Sequence, residues 1–282
     1  MKYFFTFLLL LILSNQVYCN NRGRKPAQKD KRINYVDPFI GTSNAGNQVP
    51  GPLCPFGMVH PGPVNNGQHV PLATNYLYGN KTMYGFAMTN MAGVGCANYG
   101  SIIVMPGTGD LHFEDYHSAY SEESASPGYY SVKLDDSNVR VEMTATERSV
   151  LMKFHYPAGR ANLLVDLSRR SSEDTAFLIR KVSPGVFEGY KSDGQFCAAG
   201  NDIHHRVYFV AEVSEAGTEN GLMTAKGMLD EDAVEARGED IGAYLAYDFE
   251  KPSVIEMKVG ISYVSIENAR MNLDVETTAY DF

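Results

Sequence analysis

Adjacent carboxylates are the most frequent candidate groups in the sequence: Glu114-Asp115, Glu122-Glu123, Asp135-Asp136, Glu173-Asp174 and Asp230-Glu231-Asp232. Acid–base cleavage of a sugar linkage needs two carboxyls roughly 5–10 Å apart across the ring. Neighbours in a turn do not supply that spacing, and solvated loop charges account for these pairs. Asp202, His204 and His205 precede the run RVYFVAEV. Alternate strand residues share a face, so a metal-ligand pair is permitted there, but no Cys or Glu at a fixed offset completes it. Asp166, inside LLVDLS, reads as a strand-end residue bonded to nearby backbone rather than as a base. There is no P-loop, dinucleotide fingerprint, HExxH or GxSxG. Gly93-Val94-Gly95 lacks the strand–helix context of a nucleotide site.

Two Gly-rich segments stand apart. One is DPFIGTSNAGNQVPGPLCPFGM, residues 37–58; the other is YGFAMTNMAGVGCANYGSIIVMPG, residues 84–107. Glycine lets backbone approach a ligand closely and adopt positive φ. Pro38, Pro50, Pro52 and Pro55 restrict the first loop. Asn, Thr and backbone amides suit sugar hydroxyls. Taken alone, the chemistry fits either a binding rim or tight structural turns.

The elements that must hold these loops are strands. The chain has 282 residues, 44% hydrophobic and 20% charged, with 18 Tyr, 14 Phe and no Trp. That is enough apolar content for a sizeable core, and the turn formers, 26 Gly and 13 Pro, fit an all-β protein. Strand-like runs are expected at 102–105 (ending at Pro106-Gly107), 139–146, 150–156, 162–167, 177–182, 186–190, 206–213, 222–226, 244–249 and 254–264. The last alternates cleanly: Ile255, Met257, Val259, Ile261 and Tyr263 on one face, Glu256, Lys258 and Ser262 on the other. Serial short strands with turn signals suggest a sandwich or barrel, and an antiparallel β-sandwich is predicted over residues 33–264; its large two-layer form is what the family resemblance given below implies. Ser265 is placed to cap a helix carrying Ile266, Ala269 and Leu273 on one side. The chain stops at Phe282, barely past this helix, which reads as a truncated protein.

The N-terminus reads as an export signal. Phe4–Leu13 is apolar except for Thr6, shorter than the roughly 20 residues a membrane span needs. Cleavage after Cys19 is expected, giving a secreted or periplasmic protein with no membrane span in the mature chain. Lipidation at Cys19 is the alternative, disfavoured by Tyr18, and an uncleaved anchor is a third. Three thiols then remain, Cys54, Cys96 and Cys197, which allow at most one internal bridge. Residues 20–32 form a basic tail with six Lys/Arg and one Asp, so the body is more acidic than the overall charge of −9. That sign argues against nucleic acid as a partner.

The two Gly-rich segments resemble the N-terminal domain of glycoside hydrolase family 92, secreted calcium-dependent exo-α-mannosidases. That family opens on a pattern like N/D-P-F-I-G-T, then G-H, P-G-A and P-F-G-M. Here these read Asp37-Pro38-Phe39-Ile40-Gly41-Thr42, Gly46-Asn47, Pro50-Gly51-Pro52 and Pro55-Phe56-Gly57-Met58. A later landmark like G-F-S-H-T-H-L-S-G-T-G-C reads here as residues 85–96, GFAMTNMAGVGC, and residues 259–273 look like the family's exit into a linker helix.

The resemblance implies a galactose-mutarotase-like supersandwich followed by a separate (α/α)6 barrel, with residues 265–282 beginning the linker helix. It implies an inverting, calcium-dependent removal of terminal mannose from glycans. The acid, the base and the calcium ligands are expected mainly in the helical domain, so no catalytic or metal residue is assigned in this chain. Gly46, Asn47, Met88, Thr89, Asn90, Gly93, Gly95 and Cys96 are the candidate substrate-binding residues, on two loops expected side by side. Asn47, Met88 and Asn90 replace family histidines, and Asn98 stands where an acidic residue is common. Either the substrate differs from plain α-mannosides or the binding role has decayed. A stand-alone secreted carbohydrate- or partner-binding sandwich is the other reading. A sugar-epimerase-like sandwich using His204 or His205 with a Glu is a third.

Overall fold

A computed structural model describes residues 31–67, 75–93, 100–168, 177–194, 204–224, 228–278 and 282. The expected export signal, Asp202, Gly95, Cys96, Asn98 and Cys197 lie outside them, as does the side chain of His204. Lys31–Tyr35 form a short 3-10 turn in a unit of their own, and residues 36–282 form a second, compact unit.

Among the described residues, seventeen strands and one α-helix follow in chain order. The strands are β1 (Gly62–Pro63), β2 (Thr82–Met83), β3 (Phe86–Ala87), β4 (Ile103–Thr108), β5 (Ser118–Ser126), β6 (Tyr129–Leu134), β7 (Val139–Ala145), β8 (Ser149–Tyr156) and β9 (Gly159–Asp166). They continue as β10 (Leu178–Ser183), β11 (Val186–Gly194), β12 (His204–Val213), β13 (Glu219–Thr224), β14 (Met228–Asp230), β15 (Glu235–Arg237), β16 (Gly242–Phe249) and β17 (Ser253–Ser262). The helix, α1, is Ile266–Glu276. A seven-stranded sheet runs β1-β3-β4-β9-β16-β13-β14, and a ten-stranded sheet runs β15-β10-β11-β12-β17-β8-β7-β6-β5-β2. The pairings are antiparallel.

The core lies between the sheets. Val139, Val141 and Met143 of β7, Val150, Met152, Phe154 and Tyr156 of β8, and Ile255, Met257, Val259 and Ile261 of β17 point inward from the large sheet. Ala161, Leu163 and Val165 of β9 and Ala243, Leu245 and Tyr247 of β16 meet them in one contiguous cluster. Period-two alternation delivers one apolar face per strand. Tyr156 and Tyr247 bring hydroxyls into this core and satisfy them on the Asn162 and Glu215 carbonyls, at 2.8 and 3.1 Å.

One expectation is corrected and two strands are added. The strand at 102–105 runs on through Pro106 and Gly107 to Thr108, because beyond Val104 it has β9 on one side only, and an edge tolerates proline. β5 and β6 were not anticipated. β5, SAYSEESAS, carries almost no apolar signal because most of it is an edge, bulged between Ser121 and Ser124 with Glu122 at φ 49°. The polar face of β17 is covered by α1.

Ser265 caps α1, its hydroxyl accepting from the Asn268 amide at 3.2 Å. Ala269 and Leu273 press onto Val210 of β12, flanked by Ile266 and Tyr208. Gly260 of β17 makes the approach possible: a Cβ there would sit 2.5 Å from the Ala269 carbonyl oxygen and 2.7 Å from the Leu273 Cβ. Carboxylates then pin the helix. Glu212 of β12 takes Lys258 at 2.9 Å together with Arg270. At the other end, Glu276 accepts from the Arg148 amide at 2.8 Å, from the Arg148 guanidinium and from Thr146. Burial alone would raise the pKa of both carboxyls, but Lys258 and Arg270, and Thr146 and Arg148, hold them below the usual glutamate value.

Two expected outcomes follow from this dock. Gly260→Ala should cost about 1–3 kcal/mol by overpacking, read as a lower melting temperature with faster amide exchange in α1. Both carboxyls have depressed folded values, so their stabilisation is present above the unfolded glutamate pKa of about 4.3 and is lost as pH falls through the folded values. Exchange protection of α1 should therefore fall in acid before that of the β8–β17 ladder. Uniform loss across both elements would contradict the dock.

Candidate functional site

Strand registers gather one end of the sandwich. Ile103 pairs with Asp166, which pairs with Gly242; Gly194 pairs with His204, Tyr208 with Ser262, and Gly260 with Ser149. The two sheets are tied at this end by a hydrogen bond from the Ser101 hydroxyl to Asp193, a fully buried carboxylate. Lys191, on the same strand, is also buried, with its ammonium 5.3 Å from the Phe177 ring centroid. Asp166 is buried too and accepts from the Ser168 amide at 2.6 Å, the Ser168 hydroxyl at 3.0 Å and the Tyr116 hydroxyl. Its role is the local one the sequence indicated.

The two Gly-rich segments meet at this end. The Gly93 amide donates to the Asn47 carbonyl at 2.7 Å, and a Cβ on Gly93 would lie 3.4 Å from Gln48 Nε2. Gly51 packs against Pro61 and Gly62, and Gly62 against Val49 and Asn90. Gly46 and Gly93 are exposed, and Asn47, half-buried at φ 52°, folds its amide onto the Ala45 carbonyl at 3.1 Å. These three form the accessible part of the expected rim.

Met88, Thr89 and Asn90 are not accessible in the same way. Met88 is a core residue. Thr89 is buried, and its hydroxyl accepts from the Ser101 amide at 3.3 Å. Asn90 donates to the His60 carbonyl at 2.9 Å and accepts from the Asn75 amide at 2.6 Å. Its amide is engaged by the chain itself, so Asn90 shapes the rim from below instead of offering its side chain at the surface.

Sequence reasoning missed two neighbours. His60 stands beneath the rim. Burial lowers its pKa, with a hydrogen bond to the Val49 backbone working the other way, so the ring is held towards its neutral form. Glu123 was counted among the solvated pairs. In the fold it accepts from the Tyr76 hydroxyl at 2.9 Å and the Tyr130 hydroxyl at 2.7 Å, and burial raises its pKa. With Asp37, Phe39, Ile40 and Tyr78 it lines an open cleft of about 570 Å³ against the first Gly-rich loop. Those tyrosines lie 47 and 7 residues away in the chain, so no local pattern announced the site.

His205 pairs across the ladder with Asp193 and lies 5.8 Å, ring to ring, from Tyr263. Cys54 is unpaired. Among the described residues, no three His, Cys, Asp or Glu side chains are grouped so as to hold a metal ion. The calcium that the resemblance implies, with ligands expected mainly outside this chain, has no such ligand cluster among the described side chains. No described helix is long and apolar enough to cross a membrane.

Residues 35–262 match the sequence profile of the glycosyl hydrolase family 92 N-terminal domain. The chain belongs to that family. A family 92 α-mannosidase from Bacteroides thetaiotaomicron shares 29% identity and superposes with a TM-score of 0.79, covering 87% of this chain and 35% of that one. A second mannosidase of that organism, 21% identical with a TM-score of 0.74 and covering 87% of this chain and 33% of its own, has the same fold. A protein of Arthroderma benhamiae named as an uncharacterised secreted glycosidase is 24% identical over 279 residues, covering 86% of this chain and 35% of itself. The chain thus spans about a third of the length of these relatives and carries the family's N-terminal domain.

The geometry separates a structural from an exposed role within one loop end. Asn90→Ala should remove the buried hydrogen bonds to the Asn75 amide and the His60 carbonyl and cost about 1–3 kcal/mol, seen as a clear drop in melting temperature. Asn47→Gly, at a positive φ that glycine accepts, should leave it nearly unchanged. Equal losses would show that Asn47 is as structural as Asn90.

Proposed function

We propose that this chain is the N-terminal sandwich of a secreted or periplasmic family 92 glycosidase acting on mannose-containing glycans. In this reading its loop end forms one wall of the terminal-sugar site, completed by a helical catalytic domain. The observation that carries it is the hydrogen bond from Gly93 to Asn47, which joins the two family segments at one exposed, glycine-lined edge. Backbone without a Cβ can approach a sugar closely, and its amides and carbonyls are fixed donors and acceptors for hydroxyls.

Two further features support it. Ile40, Leu53 and Phe56 are exposed on the first of these loops, at 74%, 47% and 107%, and Tyr78, at 60%, lines the cleft beside Ile40. The solved relative at 29% identity is an α-mannosidase.

The chemistry divides accordingly. An inverting reaction needs an acid on the leaving oxygen and a base that activates water across the ring. Both are assigned to the helical domain, where calcium would hold the sugar hydroxyls. This chain's part is to bind, orient and exclude water. Gly46, Asn47 and Gly93 present backbone to the sugar, while Met88, Thr89 and Asn90 keep that backbone in place. With Asn47, Met88 and Asn90 where the family has histidines, the wall carries no imidazole at those positions, and recognition falls to neutral groups.

The purified chain alone should hydrolyse no α-mannoside, with or without added calcium, because proton transfer by an acid–base pair is worth roughly 10²–10⁴-fold by itself. Calcium-dependent release of mannose above background, from protein free of contaminating glycosidase, would overturn the assignment of catalysis to another domain.

A further inference from the structure

A second recessed site lies at the opposite end of the sandwich from the rim. Residues 109–117 leave β4 at Thr108 and fold back over the outer face of the seven-stranded sheet, held by the Tyr116 hydroxyl on Asp166 and by Asn162, whose amide donates to the Gly109 carbonyl at 3.0 Å. Between this strap, β4, β9 and the β6–β7 turn is a cleft of about 150 Å³. One water needs roughly 10–15 Å³ on that measure, so the space is of ligand size.

Its lining is specific in chemistry. Met105 and Leu164 make an apolar floor, with Leu111 on the strap. Asp110 and His112 on the strap, Asp136 at the turn and Asn162 on β9 supply polar groups. Ser137 adds a hydroxyl oxygen that is buried and makes no hydrogen bond, a polar atom in want of a partner. No Lys or Arg lines the cleft and three aspartates do, which excludes anionic ligands. The described side chains offer no grouping that could hold a metal ion. An apolar floor beside carboxylate, amide and hydroxyl groups fits a neutral ligand with apolar C–H faces and several hydroxyls. Gly107 keeps the floor open: a Cβ there would lie 2.7 Å from Asn162 Oδ1.

We propose that this cleft is an ancillary binding site for a single neutral pyranose unit, separate from the wall at the loop end. The apolar floor packs against the C–H face of the ring. Asp110 and Asp136 accept from its hydroxyls, and the Ser137 hydroxyl pairs with one of them. An enzyme that trims glycans from their ends would gain from a second hold on the same chain, by raising the effective concentration of the end at its active site.

The test uses the purified chain, so its failure leaves the proposed role of the loop end untouched. Saturation-transfer NMR with methyl α-D-mannopyranoside and methyl α-D-glucopyranoside should show saturable binding of at least one probe, in the millimolar range. Asp110→Asn combined with His112→Ala, both on exposed positions of the strap, should weaken it about fivefold or more without lowering the melting temperature. Gly107→Ala, which crowds the floor, should weaken it independently. No saturation up to about 100 mM of either sugar, binding unchanged in both variants, or saturable binding of inorganic phosphate instead, would each overturn the proposal.

Discussion

Everything at the loop end depends on how residues 36–102 satisfy their buried backbone groups without a sheet to do it. Among the described residues of this segment only two-residue strands occur, β1, β2 and β3, yet many of those residues are buried. Side-chain amides take over the work of the ladder. Asn65 donates to the Leu77 carbonyl at 3.2 Å and accepts from the Leu77 amide at 2.7 Å, acting as a strand partner would. Asn80 donates to the Asn65 carbonyl, and Asn75 and Asn90 link to each other and to the His60 carbonyl. A buried network of this kind is rigid only if every member is satisfied. That explains why a loop region so poor in regular structure can carry a defined edge, and why residues that look like ligand contacts on paper are instead the frame.

The same economy governs charge. The two sheets enclose an apolar core, and the buried carboxylates stand at its margins: Asp193 with Ser101 at the seam between sheets, Asp166 with Ser168 and Tyr116 under the strap. Each is held by short-range donors, as a buried charge requires. On the outer face of the large sheet, Glu212 and Glu276 face cations from the helix and from the strands beneath it. These contacts fix the direction in which α1 leaves the sandwich.

The sandwich leaves different faces for different work. The loop end presents glycine backbone and exposed apolar side chains. The far end presents a small polar cleft with a hydrophobic floor. The edge at β5 carries charge and a bulge, which protect it from pairing with another strand.

The sequence by itself determined the fold class, most of the long strands and the family. Strand alternation at 139–145, 149–156 and 253–262 is a short-range property, and so is the Ser265 cap, so both are legible one residue at a time. The family motifs at 37–58 and 85–96 were legible for the same reason. What only the tertiary structure decided is which motif residues are surface and which are frame. Met88, Thr89 and Asn90 lie five or fewer residues from exposed Gly93, and their burial depends on Asn75, His60 and Ser101, which arrive from elsewhere in the chain. Glu123 turned from a solvated charge into a cleft residue because Tyr76 came to it across 47 residues. Pro106 stayed in a strand because its far side has no neighbour. In each case the deciding contact is long-range, and a pattern of residue types along the chain holds no record of who stands on the other side.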